Sequence, residues 1–224
     1  MSNDYLNYLP NEISVYPRLL QAGNTIFHNG YNSNYLRLAI EKGFNVNTVN
    51  SKKDTIFHNG YNSEYLLFAM LNGLDVNLQN ERGDTIFHNG HHSKYLRFVI
   101  GNDFDINCKN NNGCSIFHGG NNCKYLQLDI ENGFDINCKN NDGNTIFHYN
   151  HNSNYLPFAI ENGFNVNLQN DNGETVFHKG NHSTHLEFAI KNGFNVNLKN
   201  NKGETVFNLK NLHLVIEYGY LTKK

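Results

Sequence analysis

The apolar and polar positions of this chain repeat with a period of 30 residues. The unit TIFHYNHNSNYLPFAIENGFNVNLQNDNGE, at positions 145–174, serves as a template. In its second half, Leu156, Ala159 and Ile160 follow the i, i+3, i+4 spacing of a helix with one buried side. Pro157 is compatible with the first turn of that helix, and Gly163 is placed to end it in the left-handed conformation. The pattern therefore predicts a short helix that begins near residue 153 and ends before residue 163.

The first half of the unit predicts a shorter helix with a polar cap. Thr145 is a suitable N-cap, and the ring of His148 can reach back to the cap backbone, as in a capping box. Ile146 and Phe147 are the apolar residues of this turn. Asn-Gly pairs and asparagine clusters interrupt the helix within about two turns. Serines at one repeat position are the predicted N-caps of the second helix: Ser33, Ser63, Ser93, Ser153 and Ser183.

Each unit consists of helix, turn, helix and extended loop, and neither helix can bury its apolar side alone. Units of this size are stable only when they stack on neighbours. We therefore predict a mainly α fold with an N-terminal capping segment over residues 1–24 and a compressed C-terminal capping repeat over residues 205–224. Six full repeats lie between them, at residues 25–54, 55–84, 85–114, 115–144, 145–174 and 175–204.

The repeated residues resemble the ankyrin repeat. TIFH stands where that family has its T-P-L-H start, YLPFAIENG stands for the outer helix, and GFNVN, GLDVN or GFDIN for the closing segment. The resemblance runs from about residue 21 to the C-terminus and implies an ankyrin-like solenoid of stacked repeats that binds proteins. The unit here has 30 residues, whereas the family's has 33. The missing residues fall in the inner helix, which we expect to be cut to one or two turns.

Composition narrows the classes of function. The 18 basic and 20 acidic residues give a net charge of −2 and form no basic stripe, which argues against nucleic acid and membrane partners. Neither a secretory signal nor a membrane-spanning apolar run is visible. The four cysteines match no paired zinc pattern. Cys108 and Cys138 occupy one repeat position, which places them roughly 10 Å apart and beyond the reach of a disulfide, so we expect reduced thiols and a cytoplasmic location. Asparagine, at 44 of 224 residues, falls in register with the repeat, which indicates loops and caps of a folded frame.

Six histidines occupy one position of the repeat and raise the question of a row of ligands or catalytic bases. Stacked helices lie 8–10 Å apart, whereas metal ligands must lie within about 4 Å of each other, so histidines one repeat apart cannot share an ion. The position brings no carboxylate, nucleophile or third ligand with it. We therefore predict no catalysis and no cofactor, and we assign these residues a structural role: Thr25, His28, Thr55, His58, Thr85, His88, His118, Thr145, His148, Thr175 and His178.

The positions that differ most between otherwise similar repeats predict the functional surface. They follow the FHxG segment or occupy the hairpin tips, on the concave side of an ankyrin-like array. Tyrosine and histidine there suit an interface that is apolar and also forms hydrogen bonds. We predict a monomeric scaffold that binds a protein partner through these residues: Tyr31, Tyr61, Glu81, Arg82, His91, His92, Asn121, Asn141, Asp142, His151, Asp171 and Asn181.

Two other functions stay open at this point. The segment LPNEI at residues 9–13 resembles the opening of an F-box, which would make the chain a substrate adaptor of a ubiquitin ligase, although a capping helix explains the same residues. His88, His91 and His92 share the i, i+3, i+4 spacing and could bind zinc if they lay on a helix, but no carboxylate or cysteine accompanies them.

One further residue departs from the repeat. Asp129 takes the position that is alanine or valine in the five other full repeats: Ala39, Ala69, Val99, Ala159 and Ala189. An unpaired carboxylate buried there costs several kcal/mol. We therefore expect Asp129 either to find a partner or to mark a weak joint.

Overall fold

The computed structural model describes residues 23–30, 32–100, 104–179 and 182–207, without the side chains of residues 150 and 151. The chain divides into two compact units between Asp105 and Ile106. Within each unit the same pattern of turn, short helix and hairpin loop recurs every 30 residues. The predicted capping segments and the F-box-like stretch lie almost entirely outside the described residues.

Each repeat contributes one short α-helix, which follows directly on a 3-10 turn. Pro157 lies in the first turn of the fifth helix, as expected from its missing N–H. The 3-10 turns that precede the helices are Ser33–Tyr35, Ser63–Tyr65, Ser93–Tyr95, Cys123–Tyr125, Asn150–Tyr155 and Ser183–His185. The outer helices are α1 (Leu36–Glu41), α2 (Leu66–Leu71), α3 (Leu96–Val99), α4 (Leu126–Glu131), α5 (Leu156–Glu161) and α6 (Leu186–Lys191).

The inner element lies at the short end of the predicted length. In the described repeats it is a single turn after the threonine, and it forms a regular 3-10 turn in the fifth repeat, at Ile146–His148. The glycine two residues after the histidine then takes a positive φ, 71° at Gly30 and 76° at Gly60. The prediction of an inner helix of one to two turns is therefore met only at its lower limit.

The outer helices end as predicted, but they begin differently. Gly43 has a φ of 92°, its N–H donates to Ile40 O, and the N–H of Phe44 donates to Ala39 O, which is a Schellman ending. The predicted serine N-caps are wrong, because each serine already lies within the 3-10 turn that precedes the α-helix. The hydroxyl of Ser63, for example, donates to Gly60 O over 2.8 Å and caps no helix N–H.

The core of each full repeat is a phenylalanine pair closed by leucine and isoleucine, except in the second repeat, where Leu74 takes the place of the second phenylalanine. Phe117 and Phe134 have ring centroids 4.7 Å apart, and Phe147 and Phe164 repeat this distance. Phe57 and Phe87, at the first of these positions, are completely buried. Such close ring pairs stabilise the fold beyond what the burial of each ring's area contributes. The described residues form no β-strand beyond an isolated bridge between Val49 and Thr55.

Candidate interaction surface

The repeated histidine joins the first residue of its own repeat to the last residue of that repeat through their backbones. The N–H of Thr55 donates to Nδ1 of His58 over 2.9 Å, and the Thr55 hydroxyl lies 2.9 Å from the same nitrogen. On the other side of the ring, Nε2 lies 2.9 Å from the carbonyl of Asp84, the residue just before the next threonine. Equivalent pairs of contacts are made by His28, His118, His148 and His178.

These contacts fix the protonation state of the ring. A backbone N–H can only donate, so Nδ1 of His58 must be the acceptor and Nε2 must carry the proton that Asp84 O accepts. Burial lowers the pKa of His58, and it does the same to the pKa of His28 and His148. A ring that is neutral and bonded at both nitrogens has no lone pair left for a metal or a substrate proton. In the fifth repeat, the predicted capping box of Thr145 and His148 is confirmed.

An asparagine in each hairpin loop organises the loop, and in the second repeat it also ties the loop to the preceding repeat. Oδ1 of Asn80 accepts from the N–H groups of Arg82 and Asp84, over 2.9 and 3.0 Å. Its Nδ2 donates to the Asp54 carboxylate over 2.8 Å. The tips of neighbouring loops are also joined directly, since Glu81 N–H donates to Lys52 O over 2.9 Å. The loop asparagine is therefore part of the polar frame, by which we mean the side chains at fixed repeat positions that bond to the backbone. It is not part of the variable surface.

A second asparagine per repeat copies a backbone hydrogen-bond pair. Nδ2 of Asn137 donates to Gly163 O over 3.0 Å, and its Oδ1 accepts from Asn165 N–H over 2.8 Å. Asn47 makes the same two contacts with Gly73 and Asp75 in the first unit. We did not predict this role from the sequence. The sequence does contain an indication of it, because the asparagine that ends NVN, DVN and DIN recurs at one position of the repeat.

A third polar position is buried between the inner turn and the outer helix. It holds either asparagine or histidine, and both donate an N–H to the carbonyl of the core phenylalanine in the preceding repeat. In His92 the donor is Nε2, 2.7 Å from Phe57 O, and in Asn152 it is Nδ2, 3.3 Å from Phe117 O. The same position is occupied by Asn62 and His182. His92 is fully buried, so its assignment to the binding surface was wrong; the ring stabilises the backbone of the preceding repeat instead.

In the first unit, the predicted surface residues that the structure describes are exposed, apart from His92. Tyr61 is 51% exposed, and a Cβ placed on Gly30 would lie 2.7 Å from the Tyr61 side chain. His91 packs over Gly60 in the same way, with a Cβ distance of 2.5 Å. The glycine of FHNG therefore makes room for the ring that follows it in the next repeat. This packing presents the rings of Tyr61 and His91 side by side in neighbouring repeats.

The hairpin tips supply charge and amide groups to the candidate surface of each unit. Arg82 donates from Nε to Asp84 over 3.0 Å while its side chain stays 67% exposed. In the second unit, Asn141 donates from Nδ2 to Asn111 O, so this amide serves the frame as well as the surface. Glu81, Asn121, Asp142 and Asp171 are exposed. Tyr31 and Asn181 lie outside the described residues, as does the side chain of His151.

Asp129 is buried inside α4 without a hydrogen-bond partner for either carboxylate oxygen among the described residues. Burial raises the pKa of Asp129 from 3.8 to about 7. The second of the two sequence-based expectations, a weak joint, therefore agrees with the structure. A neutral acid is tolerated at this position, whereas its ionised form carries the full cost of an uncompensated charge.

The described residues hold no group of three or more histidine, cysteine, aspartate or glutamate side chains that is arranged to hold a metal ion. Within the same part of the chain, none of the helices has the length and apolar character needed to cross a membrane.

Comparison with known proteins agrees with this geometry. No protein-family model and no curated protein sequence matches the chain. Among solved structures, the chain is similar to the ankyrin repeat domain of Bcl-3, a protein described as a unique member of the IkappaB protein family. The TM-score is 0.63 at 17% identity, and the match covers 88% of this chain and 100% of that domain. The chain has the ankyrin-repeat fold. The predicted mainly α, ankyrin-like solenoid is thereby confirmed, with the fold shown by structure alone.

Proposed function

We propose that this chain is a non-catalytic scaffold that binds a cytoplasmic protein through the exposed residues of its inner turns and hairpin tips. We call these residues the tip surface: Tyr61, Glu81, Arg82 and His91 in the first unit, and Asn121, Asn141, Asp142 and Asp171 in the second. One observation carries the proposal. The polar side chains at fixed repeat positions bond to the backbone, whereas the residues that vary from repeat to repeat at the tips face solvent.

The chemistry of the tip surface suits protein recognition better than catalysis. Tyr61 and His91 offer flat, partly apolar faces with a polar edge, held in place by the glycine backbone of the preceding repeat. Rings of this kind lose little entropy on binding and are enriched among residues that dominate binding energy. Arg82 and Glu81 supply exposed charges beside them. The repeated histidines, which would be the natural catalytic bases, are bonded at both nitrogens.

The proposal is tested by photo-crosslinking in the source cell. A photoreactive phenylalanine analogue replaces Tyr61 in one variant and Asn121 in another, and a control variant carries it at Gln127, which is exposed on the outer helix α4. We expect one partner protein to crosslink at the tip positions and not at Gln127. Crosslinking to the same partner at Gln127 but at neither tip position would overturn the proposal.

A quantitative arm follows once the crosslinked protein is purified. Tyr61→Ala combined with His91→Ala should weaken its binding at least about tenfold, because each side chain at an interface centre contributes on the order of 1–2 kcal/mol. Gln127→Ala should leave the affinity unchanged. The ubiquitin-ligase alternative rests on residues outside the described part of the chain, and no contact in the structure favours it.

A further inference from the structure

Two identical stretches of the first unit have different backbone conformations. The nine residues TIFHNGYNS occupy positions 25–33 and again positions 55–63. Asn32, in the first copy, has φ −114° and ψ 21°, whereas Asn62, at the same place in the second copy, has φ 56° and ψ 11°. Because the two sequences are identical, this stretch is able to adopt both conformations, and its surroundings decide between them.

The two conformations correspond to the two common forms of a four-residue turn. The third residue of a type I turn has φ of about −90° and that of a type II turn has φ of about +80°, with ψ of about 0° in both. His92 in the third repeat, with φ −107° and ψ 15°, belongs to the type I form, in which the N–H of Ser93 donates to Gly90 O over 3.2 Å. Asn62 belongs to the type II form. The two forms differ by a half-turn rotation of the peptide between the second and third residues.

The second repeat keeps the type II form at a cost. A positive φ is uncommon for residues that carry a side chain, although asparagine tolerates it better than most. Both Gly60 and Ser63 are described, and this turn lacks the hydrogen bond from Ser63 N–H to Gly60 O that its equivalents in the first and third repeats make. Gly60 O accepts instead from the hydroxyl of Ser63, over 2.8 Å.

The contact that favours the type II form comes from the next repeat. The Ser63 hydroxyl lies 3.1 Å from Nδ1 of His92. Nε2 of His92 donates to Phe57 O over 2.7 Å, and burial lowers the pKa of His92, so the ring is neutral and its Nδ1 can only accept. For the turn of the first repeat, the equivalent neighbour is Asn62, whose Oδ1 has no hydrogen-bond partner among the described residues. The histidine is therefore a difference in the surroundings of the two identical turns that bonds directly to one of them.

The fifth repeat shows what such a histidine lacks when the turn before it is not of type II. Among the described residues with a side chain, only Lys53 and Asn62 have positive φ, so Asn152 does not have the type II conformation. His182, which follows Asn152 by one repeat, then has no partner for Nδ1 within the described part of the chain. The type II form in the second repeat thus supplies a donor to a buried histidine nitrogen.

The hydroxyl of Ser63 cannot serve both of its acceptors. It has one proton, whereas Gly60 O and Nδ1 of His92 each need a donor. The type II form therefore leaves one of the two acceptors weakly bonded and carries a positive φ. The type I form would return the N–H of Ser63 to Gly60 O and remove the positive φ, but it would give up the contact with the histidine. These opposing contributions are each about the size of one hydrogen bond, so both forms are accessible.

We propose that the turn of residues 60–63 is a two-state element of the tip surface. The peptide between Tyr61 and Asn62 flips between the type II and type I forms, and the contact of Ser63 with His92 sets the balance between them.

The flip changes the backbone that lies beside an exposed ring. The Tyr61 side chain packs over Gly30 in the type II form. The His91 side chain packs over Gly60 in the same way, although its turn is of type I, so this ring position is compatible with both forms. The flip reverses the directions of the Tyr61 carbonyl and the Asn62 N–H. A partner that contacts Tyr61 therefore shifts the turn towards the form that it complements. This use in binding rests on the proposed function, whereas the flip itself does not.

The first test is NMR spectroscopy of the free, full chain. In the type II form Hα of Tyr61 lies close to the amide proton of Asn62, and in the type I form the two amide protons lie close to each other, so nuclear Overhauser effects distinguish the forms. We expect the type II pattern at Asn62, together with microsecond-to-millisecond exchange in relaxation dispersion at the amides of Asn62 and Ser63. The amide of Ser93, which donates within a type I turn, serves as control and should show no exchange.

The second test replaces the histidine that sets the balance. His92→Asn keeps a donor for Phe57 O and removes the acceptor Nδ1. An asparagine is known to fit this position, since Asn152 donates to Phe117 O in the fifth repeat. The ratio of type II to type I should fall at least about fivefold, as expected for the loss of one hydrogen bond. His182→Asn makes the same substitution in the second unit and should leave this ratio unchanged. Thermal unfolding checks that both variants are folded.

The third test concerns binding and uses the protein that crosslinks at position 61. Asn62→Gly favours the type II form, because glycine adopts a positive φ readily. Asn62→His favours the type I form, since histidine at this turn position has φ −107° at His92 and −119° at His182. We expect the affinities of the two variants for the purified partner to differ at least about fivefold. Gln127→Ala, on an exposed helix face, should bind as the wild type does.

Two results would overturn the two-state turn. They are the absence of exchange at Asn62 and Ser63 in the wild type, and an unchanged pattern of nuclear Overhauser effects in His92→Asn. Equal affinities of Asn62→Gly and Asn62→His would overturn the role of the turn in binding. None of these results bears on whether a protein crosslinks at the tip surface, and a failure of the crosslinking leaves the NMR results as they are, so the two proposals fail separately.

Discussion

The two compact units are built on the same polar frame but carry different surfaces. His58 in the first unit and His148 in the second make equivalent contacts, as do Asn47 and Asn137. The exposed positions are not equivalent. The first unit shows Tyr61 at its tips and leucines on α2, whereas the second shows asparagine and aspartate at its tips and polar or charged residues on α4.

This difference shows which side chains the fold requires. A repeat with so short an inner turn has few backbone hydrogen bonds of its own, so side chains must satisfy the remaining N–H and C=O groups. The repeated histidine and the asparagines do this at fixed positions. The high asparagine content is therefore largely a structural requirement, and the exposed positions that vary between repeats are left for specificity.

The largest expected effect tests whether the frame is the same in both units. His58→Ala and His148→Ala should each reduce the free energy of unfolding by about 4 kcal/mol, since each leaves a buried N–H and a buried carbonyl without partners. Thermal and urea unfolding would measure the loss. Gln127→Ala, on an exposed helix face, serves as control and should change stability by less than about 0.5 kcal/mol. A loss below about 1 kcal/mol for either histidine would show that the frame differs between units.

The next effect has the opposite sign and is confined to the second unit. Asp129→Ala should stabilise the protein by about 3 kcal/mol at pH 8, because the folded state holds the carboxylate in a site that disfavours its charge. Ala159→Asp, at the same position of the next repeat, should destabilise it by a similar amount. Urea unfolding of both variants gives the two values.

The pH dependence of the Asp129 effect follows from the direction of its pKa shift. Its folded-state pKa is raised to about 7, so the folded form keeps a proton that the unfolded chain loses near pH 4. The stability gained by Asp129→Ala should therefore be small at pH 4 and rise to its full value above pH 7. The contribution of the histidines to stability has the opposite pH dependence. Their pKa values are lowered, so their contribution is present above about pH 6.5 and is lost as the pH falls. An equal gain from Asp129→Ala at pH 4 and pH 8 would contradict the assigned pKa.

The sequence predicts the fold well because the same pattern of apolar and polar residues recurs in six repeats. The apolar spacing of Leu156, Ala159 and Ile160 correctly predicted the outer helix, and Gly163 correctly predicted where it ends. The role of Asn137 was not predictable from its neighbours, because its partners lie 26 and 28 residues along the chain. Sequence spacing alone also cannot say which of two adjacent histidines is buried, since the inner turn is too short to have a helical period.

The smallest effect therefore belongs to the adjacent pair His91 and His92. His92→Ala should cost about 2 kcal/mol, because Phe57 O loses its buried donor. His91→Ala should change the free energy of unfolding by less than about 0.5 kcal/mol, since this ring lies on the surface over Gly60. The affinity for the partner should show the reverse order. Relative to the stability that each substitution costs, His91→Ala should weaken binding more than His92→Ala. Equal losses of stability for the two variants would mean that His91 is also part of the frame, and the tip surface of the first unit would then reduce to Tyr61 and the charged residues of the loop.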